Sequence, residues 1–193
     1  RLAYERSNIS QDEEFRQFLA DNRWWLEDYA LFMALKRHFG MKPWQEWPDE
    51  AVRLHDPAAL ARYRELLRED VELFTYIQFL FFRQWTAVKA YANGKGISII
   101  GDLPIYVSPD SAEVWSRPEL LQLKEDMTPS GVAGVPPDAF SDKGQHWGNP
   151  LYGWDYHRQT GFAWWRHRAA HLARLYDVVR IDHFRAFHTY WCI

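Results

Sequence analysis

Two short runs of β-branched residues that each end in an aspartate constrain the fold of this chain more than any other sequence feature. Ile97–Leu103 contains Asp102 near its end, and Asp182 directly follows Val178–Ile181. A short apolar run of this kind predicts a strand buried on both faces of a parallel sheet. Because a helical pattern precedes the second run, the two strands are predicted to be consecutive units of a parallel α/β barrel.

The first half of the chain is predicted to be helical. Ser10–Glu13 reads as a capping box, a second helix is expected over residues 23–39 with Gly40 as its stop, and Asp56-Pro57 opens a third. A long helix ending near Asn93-Gly94 follows. Its apolar face is formed by residues at three- and four-residue steps, namely Phe74, Ile77, Phe81, Trp85 and Val88. We therefore expect a helical insertion subdomain over residues 1–95.

Residues 96–193 are expected to be a partial barrel with long loops. The stretch from about Pro104 to Thr160 is rich in Pro, Gly, Ser and Asp, and it also holds many aromatic residues. A loop this long inside a compact domain is usually functional or disordered, and its aromatic content argues against disorder. A helix with Trp165, Ala169 and Leu172 on one face is expected to lead into the strand at Val178.

Composition excludes several classes of function. The net charge of −3 gives no reason to expect nucleic acid or an anionic membrane as a partner. The single cysteine, Cys192, cannot form an internal disulfide, so we expect a reducing, cytoplasmic compartment and a small buried apolar role for this side chain. The polar N-terminus predicts no signal peptide, and the apolar cluster Phe79–Phe82 is too short to span a bilayer.

The aromatic content points to carbohydrate. Aromatic residues make up 17% of the 193 residues, including 11 Trp. Flat rings stack on the apolar faces of sugars, so a Trp-rich cleft suits such a ligand, although most of these rings are expected to lie in the core.

Arg180 and Asp182 are the strongest candidates for chemistry. Side chains alternate along a strand, so the two point the same way. An arginine beside an aspartate favours the ionised carboxylate and holds it in place, as a nucleophile at the end of a barrel strand requires. The alternative is a structural ion pair.

Asp102 and His183 are further candidates. Because side chains alternate along a strand, Asp102 lies on the face that is expected to line the barrel interior. Its alternative role is to cap the turn at Leu103-Pro104. His183 is placed to donate to substrate hydroxyls or to serve as a structural group. No metal-ligand spacing and no acyl-transfer triad is found.

Two loop segments, Gly134–Phe140 and Gln145–Tyr152, are suited to a binding groove. Trp147 could present a stacking platform, and Asn149 and Asp138 could bind hydroxyls. The alternative is that these loops pack on themselves.

Four motifs, in order, resemble the bacterial 4-α-glucanotransferases, also called amylomaltases or disproportionating enzymes. They are Gly101–Val107, Val132–Asp138, Trp147–Tyr152 and Val179–Arg185. The helical half also resembles that family, notably Trp24–Phe32. The resemblance covers essentially the whole chain.

The resemblance implies part of a (β/α)₈ barrel and transfer of α-1,4-glucan segments to the 4-hydroxyl of an acceptor sugar, with retention. It implies that Asp182 is the nucleophile and that Arg180 orients it. Residues implied to bind maltooligosaccharide or α-1,4-glucan are Asp102, His183, Trp147, Asn149, Asp138 and Tyr106. It implies no metal, no organic cofactor, no nucleic acid partner and no membrane.

The family's acid/base glutamate and its third carboxylate come from later strands, so we expect this chain to be a fragment whose partners are the missing barrel strands. Ala186 stands where the family usually has Gly, and Ala139 where it often has Tyr, beside Phe140. The rival functions are a retaining α-glucan hydrolase and a non-catalytic carbohydrate-binding fragment.

Overall fold

The computed structural model describes residues 9–139 and 141–193, and the chain divides into two compact units. The first unit ends at Thr86, and the second covers Ala87–Ile193.

The described part of the first unit is helical. Its helices are α1 (Glu13–His38), α2 (Glu50–Arg53), α3 (Pro57–Leu66) and α4 (Arg68–Gly94), with 3₁₀ turns at Ile9–Gln11 and Trp44–Glu46. The α4 helix continues past the boundary at Thr86. Asp56 caps α3 as predicted, accepting a hydrogen bond from the Ala59 N–H at 2.9 Å.

One helix, α1, occupies the stretch in which two were predicted. The N-cap is Asp12, which accepts a hydrogen bond from the Phe15 N–H at 3.2 Å, so the prediction of a capping box beginning at Ser10 is wrong. Asn22 does not break the helix, because its side-chain amide donates to the Phe18 carbonyl one turn earlier. The predicted stop is confirmed: Gly40 follows the helix with a φ of +69°, which glycine adopts without strain.

The core of the first unit lies on a different face of α4 from the one predicted. Phe79 is 1% exposed and packs against Phe15, Phe18 and Leu26. Three residues of the predicted stripe are exposed instead, Ile77 at 44%, Phe81 at 50% and Val88 at 55%, whereas Phe74 and Trp85 are half-buried. Both faces of this helix are apolar, so periodicity alone could not select the buried one.

The second unit contains five described strands. They are β1 (Ile100–Leu103), β2 (Val132–Val135), β3 (Gln145–Pro150), β4 (Val178–Ile181) and β5 (Trp191–Cys192). Its described helices are α5 (Ala112–Ser116), α6 (Trp154–Gln159) and α7 (Ala163–Leu175), with 3₁₀ turns at Pro118–Leu120 and Phe184–Phe187.

The strands β1 and β4 pair in parallel, as predicted, with Asp102 opposite Arg180. The helix α7 precedes β4 and packs against both strands. Gly101 faces this side, where a Cβ would lie 2.1 Å from a ring carbon of Tyr176. Burial on both faces was wrongly predicted: Gly101 and Leu103 are buried, whereas Ile100 and Asp102 are exposed on the opposite face.

The predicted loop from Pro104 to Thr160 contains regular structure. Its strands β2 and β3 pair antiparallel, and β5 completes a three-stranded sheet in the order β3-β2-β5. Cys192 lies in the edge strand β5 and is exposed, so the prediction that it is buried is wrong. Within the described ranges, no helix is long and apolar enough to cross a membrane.

Candidate active site

Arg180 binds Asp102 across the parallel strand pair. The Arg180 Nε donates to Asp102 Oδ1 at 2.9 Å, and Nη2 donates to Oδ2 at 3.1 Å. The register of β1 and β4 sets this contact, because it places the two residues directly opposite each other. Two parallel hydrogen bonds fix the plane of the guanidinium as well as its position.

Asp182 contacts the same guanidinium from the other side. Its Oδ2 accepts a hydrogen bond from Arg180 Nη2 at 3.4 Å, while its Oδ1 accepts one from the backbone N–H of His183 at 2.8 Å. His183 has a φ of +49°, which is uncommon for a residue with a side chain. The side chain of Asp182 is 76% exposed. The carboxylate is therefore oriented and open to solvent.

The electrostatics of this cluster favour the ionised form of Asp102. The hydrogen bonds from Arg180 lower the pKa of Asp102, against desolvation, and the guanidinium charge lowers it further. The pKa of Arg180 is raised, first by the hydrogen bond and charge of Asp102 and then by the charge of Asp182. Exposed ion pairs add little to stability. The cluster is thus better suited to holding side chains in place than to stabilising the fold.

Three of the predicted binding residues form one group of rings beside Asp182. The ring centroids of Trp147 and His183 are 4.9 Å apart at an interplanar angle of 76°, an edge-to-face contact. The Tyr106 ring lies 6.1 Å from Trp147 and 6.4 Å from His183. His183 follows Asp182 and its backbone N–H donates to the Asp182 carboxylate, so this group of rings begins at the residue next to the carboxylate.

The side chains of Asn149 and Asp138 form hydrogen bonds with backbone groups of this chain. The side-chain amide of Asn149 donates to the Val107 carbonyl at 2.9 Å. Asp138 accepts a hydrogen bond from the Ser141 N–H at 2.9 Å within its loop. The neighbouring Phe140, which was named with this loop, lies outside the described residues.

Tyr152 supports this surface and was quoted in a sequence motif without a role. It is 2% exposed, its ring stacks on Tyr106 at 6.1 Å and 13°, and its hydroxyl donates to the Ile105 carbonyl at 2.7 Å. Burial raises the pKa of the Tyr152 hydroxyl well above its usual range, with Arg168 opposing the rise. The hydroxyl therefore stays protonated and able to donate.

The residues that the structure describes do not provide a set of side chains that could bind a metal ion. No group of three or more His, Cys, Asp or Glu side chains there could hold a metal ion.

Residues 1–193 match the family described as 4-alpha-glucanotransferase. The chain is 46% identical to a 4-alpha-glucanotransferase of Clostridium butyricum, over 100% of this chain and 40% of the relative. It is 50% identical to one of Thermus thermophilus, over 97% of this chain and 37% of the relative.

Solved structures agree with the sequence comparison. The amylomaltase from Streptococcus agalactiae in complex with acarbose superposes with a TM-score of 0.92 at 47% identity, covering 98% of this chain and 38% of that one. The amylomaltase from Corynebacterium glutamicum, at 19% identity and a TM-score of 0.74, shares the fold. This chain spans about 40% of the length of its relatives. The end-to-end match shows that the chain belongs to the 4-alpha-glucanotransferase family.

Proposed function

We propose that the whole protein to which this chain belongs is a 4-α-glucanotransferase. It transfers a segment of α-1,4-glucan to the 4-hydroxyl of an acceptor sugar, with retention at the anomeric carbon. The observation that carries the proposal is the exposed Asp182 carboxylate, hydrogen-bonded to Arg180 and flanked by aromatic rings, in a chain that matches the family over its full length.

The proposed architecture of the whole protein is a (β/α)₈ barrel with a helical insertion subdomain over residues 1–95. The parallel pair β1 and β4, with α7 packed against it, supplies two of the barrel strands. The aspartates at the ends of these strands then lie at the barrel face on which active sites are built. The remaining strands are the partners of this segment, and we place the protein in the cytoplasm because the one cysteine of this chain cannot form a disulfide within it.

The proposed reaction is a double displacement. The Asp182 carboxylate attacks the anomeric carbon, the glycosidic bond breaks, and a proton passes to the leaving oxygen. The acceptor hydroxyl then attacks the glycosyl–enzyme ester, loses its proton to the same acid/base, and releases Asp182. Arg180 orients the nucleophile by its contact at 3.4 Å.

The proton donor comes from outside this chain. A general acid must hold a proton at the working pH, whereas Arg180 lowers the pKa of Asp102 and keeps that carboxyl ionised. Asp102 therefore serves to hold Arg180 and to bind the donor sugar.

The glucan groove is proposed to run over the rings beside Asp182. Trp147 and Tyr106 stack on sugar faces, and His183 donates to hydroxyls next to the reacting carbon. Asn149 in β3 and Asp138 in the loop before β3 line the groove. The acarbose complex of the Streptococcus agalactiae neighbour supports an oligosaccharide as the ligand.

The test is the reaction of the whole protein with maltotriose. Longer and shorter oligomers are expected from transfer, whereas new reducing ends without longer products would indicate a retaining hydrolase instead. Asp182→Asn is expected to abolish nearly all turnover while keeping maltooligosaccharide affinity. Near-normal turnover in that variant would refute the assignment of Asp182 as nucleophile. The matched control is Asp155→Asn, an exposed carboxylate paired with Arg158.

A further inference from the structure

The segment that carries Tyr106 has little support from its own backbone. Pro104 to Ser108 follows β1 and belongs to no helix or strand. Among the described residues, no backbone–backbone hydrogen bond involves Ile105, Tyr106 or Val107. Backbone groups without such partners depend on side chains or water, so the position of this segment is set by what other side chains donate to it.

Arg168 donates to the Pro104 carbonyl, and two side chains from one neighbouring segment support the backbone on each side of Tyr106. The Tyr152 hydroxyl donates to the Ile105 carbonyl at 2.7 Å, and the Asn149 amide donates to the Val107 carbonyl at 2.9 Å. The two bonds therefore bracket the peptide that bears the ring.

The donors themselves are well anchored. Asn149 lies in β3, which is paired with β2 on both sides of it. Tyr152 is 2% exposed and packs edge-to-face on His157 at 5.5 Å and on Trp165 at 4.9 Å. Its ring also stacks directly under Tyr106. The Tyr152 side chain is therefore fixed by the rings packed around it, and Asn149 is half-buried in a paired strand.

The two hydrogen bonds that flank Tyr106 also fix its position relative to Trp147. Trp147 lies in β3 only two residues before Asn149, so both rings are held by one element. A fixed distance between the rings, 6.1 Å between centroids, gives a preformed surface for consecutive sugars.

We infer that Asn149 and Tyr152 are positioning residues that preorganise the Tyr106–Trp147 ring surface through the carbonyls of Val107 and Ile105. This inference rests on the proposed glucan-binding role of Tyr106. It changes the expectation for Asn149, whose amide N–H acts through the Tyr106 segment rather than on a sugar hydroxyl.

The test measures maltoheptaose affinity by calorimetry on the whole protein carrying Asp182→Asn, so that no turnover interferes. Tyr152→Phe removes only the donor hydroxyl, and Asn149→Asp removes the donor amide with little change of shape. Each is expected to weaken binding about three- to tenfold, the range for one lost hydrogen bond. Thr75→Val, which removes a hydrogen bond to the Val71 carbonyl in the other unit, is the matched control with unchanged affinity.

A double-mutant cycle separates positioning from general stabilisation. Tyr106→Ala is expected to weaken binding by itself, and adding Tyr152→Phe or Asn149→Asp to it is expected to cause no further loss, because the ring they position is gone. Melting temperatures identify any variant that does not fold; if Tyr152→Phe is one, Asn149→Asp decides.

The outcomes distinguish this inference from the proposed function. Absence of maltoheptaose binding by the Asp182→Asn protein would contradict the proposed function itself. Binding that is unaffected by the two substitutions, or that falls equally with and without the Tyr106 ring, would overturn the positioning role alone.

Discussion

At the residue scale, one guanidinium contacts two carboxylates, and strand register decides how it is shared. The guanidinium of Arg180 is planar and carries several N–H donors. Asp102, directly across the strand pair, accepts hydrogen bonds from two of its nitrogens, Nε and Nη2. Asp182 receives a single, longer hydrogen bond from the same group. Asp102 therefore fixes the guanidinium, and the guanidinium in turn orients Asp182.

Asp102→Asn is expected to lower kcat of the whole protein about 10²-fold, the typical effect of a misplaced catalytic group. The asparagine amide has only one acceptor oxygen, so it cannot accept both hydrogen bonds that Arg180 donates to Asp102. Arg180 is then free to turn toward Asp182. The measurement is steady-state transfer on maltotriose, with Asp155→Asn as the control of unchanged rate. A raised KM with near-normal kcat would show instead that Asp102 acts only in sugar binding.

Much of this cluster could be predicted from the sequence, because alternation along a strand is a local rule. Parity placed Arg180 and Asp182 on one side, and their contact agrees with it. The bidentate partner of Arg180 could not be predicted, since it depends on the register between strands that are 78 residues apart. The supporting role of Tyr152 also depends on a distant carbonyl, at Ile105.

At the element scale, the N-cap of α3 is one of the clearest local signals. Asp56 accepts a hydrogen bond from Ala59 N–H, and Pro57 occupies the first turn. Asp56→Ala is expected to cost about 1 kcal/mol, and each kcal/mol corresponds to about 2–4 °C in melting temperature for a chain of this size. Asp56→Asn caps equally well and serves as the matched control. Equal melting temperatures for the two variants, measured calorimetrically, would contradict a capping role.

A buried histidine in helix α6 forms a hydrogen bond with the 3₁₀ turn at Pro118–Leu120. His157 is 0% exposed, and its Nε2 lies 3.0 Å from the Leu120 carbonyl oxygen. Burial lowers the pKa of this imidazole, and the hydrogen bond to Leu120 opposes the shift. The folded protein therefore favours the neutral ring.

This lowered pKa predicts acid sensitivity. Below about pH 6.5 the unfolded chain binds a proton at this position that the folded chain resists. The free energy of unfolding therefore has its full value above pH 6.5. It falls as the pH drops from 6.5 toward the lowered pKa of His157. His157→Gln removes the titration and is expected to flatten the plot of melting temperature against pH between 6.5 and 5. An unaltered slope in His157→Gln would refute the assignment.

Elements with local signals were predictable, and elements that depend on distant partners were not. Gly40 and Asp56 mark helix ends by their own chemistry. The strands β2 and β3 lie in a Gly- and Pro-rich stretch and are stabilised by pairing with each other and with β5 near the end of the chain. The buried face of α4 likewise depends on Phe15 and Phe18, more than 60 residues away in sequence.

At the scale of the whole molecule, the parallel α/β character followed from the order of the elements. A strand, a crossover containing a helix and a second parallel strand leave few arrangements, and the pairing of β1 with β4 is one of them. The three-stranded antiparallel sheet was not predicted, because β2 and β3 lie within the crossover without clear alternation and their partner β5 follows β4.

The 193-residue chain by itself is expected to show no detectable transferase activity. Retaining transfer needs one ionised and one protonated carboxyl about 5 Å apart. Asp182 supplies the first, but Asp102, which contacts the same Arg180 nitrogen, has a lowered pKa and cannot supply the second. The measurement is product analysis after long incubation of the purified chain with maltotriose, with the whole protein as the positive control. Turnover by the chain that disappears in Asp182→Asn would show that these residues contain a complete catalytic pair, and Asp102 would then have to be its proton donor.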